Sequence, residues 1–335
     1  MGCTRREFLK GSLAAGALTL VSPGCSRAKG IADEKFEPAY LKLHRQGKLT
    51  KRAEELWEIF KKCVLCPRKT KKNRLAGESD VCGLKDEFKL ASAGPHFGEE
   101  RPLVGSYGSG TIFFSNCNLL CVFCQNWEIA HRGDGSPVSH QTLARTMLQL
   151  QKKGCHNINL VTPTHVVPHI VRALPIAVAG GLKLPLVYNT GGYDSVDTIK
   201  QLEGIVDIYM PDFKFQDKEM AAKYTKEAGD YPEAAGAAIK EMHRQVGELK
   251  LGKGGVALRG VILRHLVMPN NVAGTDKFVK WVAKELSPNT YVNIMGQYRP
   301  EHQAHKHPRI AKRLTRDEFH QALKWAKDAG LKRLD

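Results

Sequence analysis

Residues 111–124, TIFFSNCNLLCVFC, decide the fold of this chain of 335 residues. The segment opens with an apolar run, Thr111 to Phe114, that has the length and composition of a buried strand. Beyond it, short apolar runs alternate with amphipathic helical stretches, which is typical of parallel β/α units. We predict six strands, at 111–114, 157–161, 186–189, 206–210, 256–263 and 291–295. The fold class is therefore α/β.

Caps and apolar spacing predict the helices that connect these strands. Ser139 is expected to cap the N-terminus of one helix, and Gly154 can supply its left-handed C-terminal residue. A longer helix carries apolar residues at spacings of three and four over 235–246. The last helix is predicted to begin with a capping box formed by Thr315 and Glu318.

Polar residues cluster directly after the predicted strands. In β/α barrels these loops form the active-site face, so we expect the site there, although loops are also polar simply because they contact water. The residues are Asn116; Thr162, Thr164 and His165; Asn189 and Thr190; Asp212 and Lys214; Arg264 and His265; and Gln297 and Tyr298.

Cys117, Cys121 and Cys124 are the strongest candidates for metal ligands. Three thiolates leave one iron of a 4Fe-4S cluster without a protein ligand, whereas electron-transfer clusters use four cysteines. Structural zinc sites usually draw their ligands from two separated pairs. The spacing of three and then two residues, with aromatic Phe123 before the last cysteine, resembles the signature of radical S-adenosylmethionine enzymes.

In such enzymes the open iron binds S-adenosylmethionine. An electron from the reduced cluster then releases a 5′-deoxyadenosyl radical, which abstracts hydrogen from a substrate. Phe123 is expected to lie against the adenine, with simple loop packing as the alternative.

The similarity extends well beyond the cysteines. The chain resembles the pyruvate formate-lyase activating enzyme homologues, a radical S-adenosylmethionine group, from about Cys63 to the last helix. The segments that carry the resemblance are FFSNCNLLCVFCQNWEIA, NINLVTPTHVVPHI, LPLVYNTGGY, VDIYMPDFKF, EMHRQVG, RGVILRHLVMPN and YVNIMGQYRP.

This resemblance implies a partial (β/α)6 barrel of the TIM type, a cluster on the three cysteines and S-adenosylmethionine as cosubstrate or cofactor. It does not imply pyruvate formate-lyase as the substrate. The partners expected from it are an unknown substrate, with a glycyl-radical-type protein as one candidate, and a low-potential electron donor.

One departure from the wider superfamily concerns the second strand. Many relatives end it in Gly-Gly-Glu, which meets the amino group of the methionyl moiety, whereas this chain has Val-Thr-Pro-Thr-His at 161–165. Thr162 and Thr164 become the candidates for that contact. Asn189 and Arg264 are further candidates for binding S-adenosylmethionine; for Arg264 an internal salt bridge is the alternative.

A second departure lies in a small irregular N-terminal lobe that contains Cys63, Cys66 and Cys82. Relatives usually have another cysteine where this chain has Thr70. The three remaining cysteines are expected either to bind zinc or an auxiliary cluster with an outside ligand, or to belong to a lobe that is only structural.

The N-terminus resembles an export signal. Thr4 to Lys10 form a twin-arginine motif, and the apolar run from Leu13 to Val21 is too short to span a bilayer. A lipoprotein-like box ends at Cys25, with Ser22 at the position where leucine is expected. If the signal is used, the protein is periplasmic or membrane-anchored; if not, it is cytoplasmic. The predicted domains are a signal segment at 1–30, an N-terminal helix and cysteine lobe at 31–105, and the barrel at 106–335.

The charge balance narrows the alternatives. Lys and Arg number 51 against 34 Asp and Glu, but they are scattered and interleaved with acids, which disfavours a nucleic-acid interface. Export keeps a second function open, that of a non-catalytic iron-sulfur or zinc protein for binding or electron transfer. Weaker candidates are His302, His305 and His307 as metal ligands, and Tyr188 and Tyr298 as radical relays.

Overall fold

The structure is a computed structural model, and it describes residues 36–335. Its strands are β1 (Lys89–His96), β2 (Ser109–Phe114), β3 (Ser136–Pro137), β4 (Ile158–Val161), β5 (Leu186–Thr190), β6 (Ile208–Pro211), β7 (Lys250–Leu251), β8 (Ala257–Leu266), β9 (Tyr291–Met295) and β10 (Arg333–Leu334). Its helices are α1 (Ala39–Arg45), α2 (Lys48–Glu58), α3 (Arg101–Val104), α4 (His140–Lys152), α5 (Val167–Ala179), α6 (Val196–Gln201), α7 (Lys218–Tyr224), α8 (Tyr231–Val246), α9 (Thr275–Glu285) and α10 (Arg316–Asp328).

The strands form one sheet in the order β10-β9-β8-β6-β5-β4-β2-β1-β3. From β2 to β10 every neighbouring pair on this path is parallel, and helices connect the successive parallel strands. This is a partial (β/α)6 barrel, as expected. All six predicted strands are confirmed as β2, β4, β5, β6, β8 and β9.

The predicted helix caps are confirmed as well. The Ser139 hydroxyl accepts a hydrogen bond from the backbone N–H of Thr142 at 3.1 Å, at the start of α4. Thr315 and Glu318 form a reciprocal capping box at the start of α10. Both caps satisfy backbone N–H groups that have no partner inside the helix.

The two faces of the sheet pack differently. One face packs against the helices in the main apolar core. On the other face, a second apolar cluster joins Leu103 of α3 to residues of β5, β6 and β8, namely Val187, Ile208, Met210 and Ile262, with Leu249 and Ala257. Side chains alternate between faces along a strand, so Asn189 and Arg264 lie on the same face as this second cluster. The apolar cluster therefore fills the barrel near the amino ends of its strands.

Sequence analysis did not predict β1. It pairs antiparallel with β2 and extends the sheet on that side. Its sequence, KLASAGPH, lacks β-branched and aromatic residues and contains glycine and proline, which strands usually avoid. The pairing with β2 overrides this weak local preference.

The expected signal segment, with Arg5, Arg6 and Cys25, lies outside the described residues. Within residues 36–335, no helix has both the length and the apolar character needed to cross a membrane.

Candidate functional site

A cavity of about 280 Å³ opens at the carboxyl ends of the parallel strands. All three cysteines of the 117–124 segment line it. The lining residues that matter most for its chemistry are Cys117, Cys121, Cys124, Phe123, Thr162, Asn189, Asp212, Lys214 and Arg264. These residues come from the ends of four strands, β4, β5, β6 and β8, and from the loop after β2, so the barrel itself brings them together.

The loop of Cys117 to Cys124 is held by the chain around it. Asn116 and Leu120 adopt positive φ angles of 73° and 51°, which are uncommon for residues other than glycine. Carbonyls of the loop accept hydrogen bonds from three distant segments: Asn118 from the Arg68 side chain at 2.7 Å, Leu119 from the Lys226 N–H at 2.8 Å, and Val122 from the Gln303 N–H at 2.8 Å. The loop is thus fixed from outside while its thiols face the cavity.

The thiols sit in an environment with little water. Burial raises the pKa of the Cys121 thiol, against the opposing effect of the Lys214 ammonium. Burial likewise raises the pKa of Cys124 to about 11. Desolvated thiols of this kind lose their protons readily only to a metal, which is itself a large positive charge.

The number of thiols and the space beside them are what a 4Fe-4S cluster requires. In a 4Fe-4S cluster each cysteine binds a different iron, so the three sulfurs must surround a space rather than converge on a point. The cavity beside Cys117, Cys121 and Cys124 provides such a space.

A charged group forms one wall of the cavity. Asp212 accepts hydrogen bonds from Lys214 Nζ at 2.5 Å and from Arg264 Nε at 2.8 Å. Arg264 also donates to Asn189 Oδ1 at 2.7 Å. Burial acts to raise the pKa of Asp212, but Arg264 and Lys214 outweigh it and hold the pKa below its usual value. The expected alternative for Arg264, an internal salt bridge, is present, yet its side chain still lines the cavity.

Lys214 is the cation nearest the cysteines. Burial acts to lower the pKa of Lys214, but Asp212 and then Cys121 reverse this and raise it to about 12. Two cationic side chains, Lys214 and Arg264, thus line this wall of the cavity.

Below this wall lies a polar layer that sequence analysis missed. Glu99 and Glu100, from the segment before α3, approach Arg264 Nη1 at 3.9 and 3.7 Å. Glu100 also accepts a hydrogen bond from Asn293 at 3.1 Å, and burial raises the pKa of Glu99. The adjacent pair of acids was the one signal in the sequence, and such pairs usually lie in solvent.

The remaining candidates for binding S-adenosylmethionine are placed unequally. Phe123 lines the cavity and also packs edge-on against Phe215. Thr162 lines it with a positive φ of 58°. The Thr164 hydroxyl instead donates to Asp194 at 2.7 Å in the buried interior and is not among the lining residues.

The weaker candidates have structural partners. The Tyr188 hydroxyl donates to Asp194 at 2.8 Å, and that of Tyr298 donates to the Ile310 carbonyl at 2.7 Å. His302 stacks on Trp127 and lies against His131 in a π-helical turn, Glu128–Arg132, that follows the cysteine loop. The structure does not gather His302, His305 and His307 into a metal site.

The lobe cysteines lie apart from this cavity. Cys63, Cys66 and Cys82 line a separate space of about 20 Å³, together with Arg74 and His165. Burial raises the pKa of Cys66 to about 12 and also raises that of Cys82. The structure thus brings together the three cysteines that the sequence had grouped, beside a buried arginine that the sequence had not singled out.

Comparison with known proteins gives two findings, while no family model matches the chain. The uncharacterized protein MJ0674 of Methanocaldococcus jannaschii is 32% identical over 312 residues, which cover 90% of this chain and 85% of that protein. A solved structure of TYW1 with a lysine-pyruvate adduct bound is similar with a TM-score of 0.40 and 11% identity, over 65% of this chain and 73% of that one.

Proposed function

This chain belongs to the family of the uncharacterized protein MJ0674 of Methanocaldococcus jannaschii, and we propose that it is a radical S-adenosylmethionine enzyme. One observation carries the proposal. Cys117, Cys121 and Cys124 line a single large cavity at the carboxyl ends of parallel β/α strands, which is where such folds bind their ligands.

The three cysteines are the proposed ligands of a 4Fe-4S cluster. When bound and reduced by a low-potential donor, such a cluster supplies the electron that cleaves S-adenosylmethionine to methionine and a 5′-deoxyadenosyl radical, which takes a hydrogen atom from the substrate. The fit rests on the cavity volume, on the burial of Cys121 and on the number of thiols, which leaves one ligand position open.

The chain's own contribution is to hold these thiols and keep water away. The bonds from Arg68, Lys226 and Gln303 fix the loop carbonyls, so the thiols need little rearrangement. Phe123 is 6% exposed and supports an apolar surface on which an adenine can pack.

The charged wall is the proposed site for the methionyl end of S-adenosylmethionine. Lys214 and Arg264 both line the cavity and can donate to a carboxylate, whereas Glu99 and Glu100, which also contact Arg264, are not among the lining residues. Thr162 is the remaining candidate for the amino group, because Thr164 is already bonded to Asp194. Asn189 accepts a hydrogen bond from Arg264 through Oδ1 and lines the cavity, so it remains a candidate for contact with the ligand.

The test is an anaerobic reconstitution of the full chain with iron and sulfide, followed by reduction in the presence of S-adenosylmethionine. We expect 5′-deoxyadenosine as the product. An intact 4Fe-4S cluster that yields none would instead favour the binding or electron-transfer protein that sequence analysis kept as the alternative.

Cysteine variants give this test its controls. Replacing Cys117, Cys121 and Cys124 by alanine should abolish both the cluster spectrum and the product. Cys155→Ala is the matched control, because Cys155 is buried but lies outside the cavity. Loss of product in Cys155→Ala to the same degree would point to general damage rather than to lost ligands.

An activating role on a glycyl-radical-type protein is the finer proposal, and it rests on the sequence resemblance. It is tested by mixing the reduced enzyme with a candidate glycyl-radical protein and recording the electron paramagnetic resonance spectrum. A glycyl radical doublet that depends on S-adenosylmethionine supports the role; consumption of S-adenosylmethionine only with small molecules argues against it.

A further inference from the structure

Arg74 is a buried cation without a carboxylate partner. Its side chain is 1% exposed, and its Nε and Nη1 donate to the carbonyls of Lys85 and His165, both at 2.7 Å. Its Nη2 has no hydrogen-bond partner within residues 36–335. Buried charges in proteins are normally paired, and the Phe60 ring, with its centroid 4.0 Å from the guanidinium carbon, offsets only part of the desolvation cost, so an anionic group beside Arg74 would complete its environment.

Three thiols are the groups near Arg74 that can carry this charge. Cys82, Cys63 and Cys66 are the acidic side chains that interact electrostatically with the guanidinium. All three cysteines line the same small cavity as Arg74. A metal ion bound by these sulfurs would hold them as thiolates and so place negative charge beside the guanidinium.

His165 offers a nitrogen to the same cavity. It is 3% exposed, and its Nε2 lies 2.8 Å from the Ser115 carbonyl oxygen. A carbonyl can only accept, so Nε2 carries the proton and Nδ1 has a free lone pair. Nδ1 is buried without a partner among the described residues. Histidines that bind metals typically show this pattern, with the second nitrogen donating to a backbone carbonyl.

From these contacts we infer that Cys63, Cys66 and Cys82 bind a single zinc-type ion as thiolates, with His165 Nδ1 as the fourth ligand. A divalent ion with three thiolates carries one net negative charge, which the Arg74 guanidinium neutralises. Three sulfurs and one nitrogen are an ordinary ligand set for structural zinc.

The small cavity beside Cys63, Cys66 and Cys82 has room for a single ion but not for a second cluster. About 20 Å³ is close to the room that one water-sized sphere needs, whereas the cavity beside Cys117 is more than ten times larger. The thiols are not already placed as ligands of one ion, so binding must include their rotation about Cα–Cβ. This small site, the lobe site, does not depend on the proposed radical chemistry.

The zinc content of the full chain, purified without added metal, tests the inference. We expect one zinc per chain in the wild type and in the triple variant Cys117→Ala/Cys121→Ala/Cys124→Ala. The triple variant Cys63→Ser/Cys66→Ser/Cys82→Ser should contain none, whereas Cys155→Ser should keep its zinc. Zinc that disappears with the 117–124 cysteines, or a wild type that binds none when supplied with zinc, overturns the lobe site.

X-ray absorption at the zinc edge then identifies the ligands in the wild-type protein, so it does not depend on any variant folding. Three sulfurs and one nitrogen are expected, and His165→Gln should remove the nitrogen. Four light ligands, or a fourth ligand without the outer-shell scattering of an imidazole ring, would exclude the ligand set. A disulfide between Cys63 and Cys66 in place of metal, seen by thiol titration, would likewise exclude it.

The role of Arg74 is tested by competition with a zinc chelator. Neutral Arg74→Met should weaken zinc binding by about 10- to 100-fold, as loss of an outer-shell partner typically does, while Arg74→Lys should restore much of it. Equal affinity in both variants would show that Arg74 does not balance the charge of the lobe site.

Discussion

At the scale of single residues, the charged wall is held by close approach of the main chain. Gly192 has a φ of +83°, and a Cβ there would lie 2.3 Å from the Asp212 carbonyl oxygen and 3.1 Å from the Tyr231 hydroxyl. Any side chain at this position would displace the strand end that carries Asp212.

Gly192→Ala is therefore expected to lower the free energy of unfolding well beyond the backbone cost alone. Gly181→Ala is the matched control, because Gly181 has a φ of +90° with nothing within 4 Å of the added Cβ, so only about 1–2 kcal/mol is expected there. Chemical denaturation measures both values. Equal losses at the two positions would mean that the contact with Asp212 relaxes without cost.

The sequence pattern identified functional candidates that follow strands, but not residues whose importance depends on being buried. Asp212 and Lys214 could be picked out because polar residues after apolar runs stand out. Arg74 and Glu100 could not, since their importance depends on being buried among groups distant in the chain. Arg74, for example, meets His165, which is 91 positions away.

At the scale of elements, apolar runs predicted the parallel strands to within three residues at each end. The largest error was at β8, which continues to Leu266 through Arg264 and His265. The predicted strand stopped before these two polar residues. In the structure, Arg264 faces the polar interior of the barrel, and His265 bonds to the Phe213 carbonyl and to Thr275. Because the barrel interior is polar at this end, hydrophobicity alone does not locate the ends of the strands.

Asp207 joins two elements and gives the protein a pH-dependent stability. Its carboxylate accepts the N–H of Ala39 at the start of α1 (2.9 Å) and that of Leu186 at the start of β5 (3.1 Å). Burial raises the pKa of Asp207 to about 7, above roughly 3.9 in an unfolded chain. Between these values the native state binds the extra proton.

Asp207 should therefore make the free energy of unfolding fall as pH rises from about 4 to about 7, by at most about 1.4 kcal/mol per pH unit. Below about pH 4 the contribution of Asp207 to the free energy of unfolding is fully present. Denaturation curves of wild type and Asp207→Asn across this range measure the difference. If the two proteins show the same pH slope, Asp207 is not the group responsible.

At the scale of the whole molecule, the barrel is closed at one end and open at the other. Leu103 of α3 is fully buried against Val187, Ile208 and Ile262 near the amino ends of the strands. The sequence predicted the parallel strands, but it could not predict this closure, because the contacts join a four-residue helix to strands more than 80 positions away.

Leu103→Ala should lower the free energy of unfolding by about 2–5 kcal/mol, since it leaves a cavity inside the barrel. Leu251→Ala is the control on β7, where the side chain is 45% exposed and a change within about 0.5 kcal/mol is expected. Urea denaturation compares the two. A small effect at Leu103 would show that α3 covers the barrel without supporting it.

The incomplete barrel has a consequence for solubility. A sheet that does not close has two edges, and unpaired strand edges are templates for aggregation. Here the outermost strands, β10 and β3, are two residues long, and β3 ends in a proline. β3 pairs with only Lys89 and Leu90 of β1, however, so residues 91–96 of β1 have no strand partner on that side within residues 36–335. Pro95 lacks a backbone N–H and interrupts this stretch, which makes it a poorer template for a second copy of the chain.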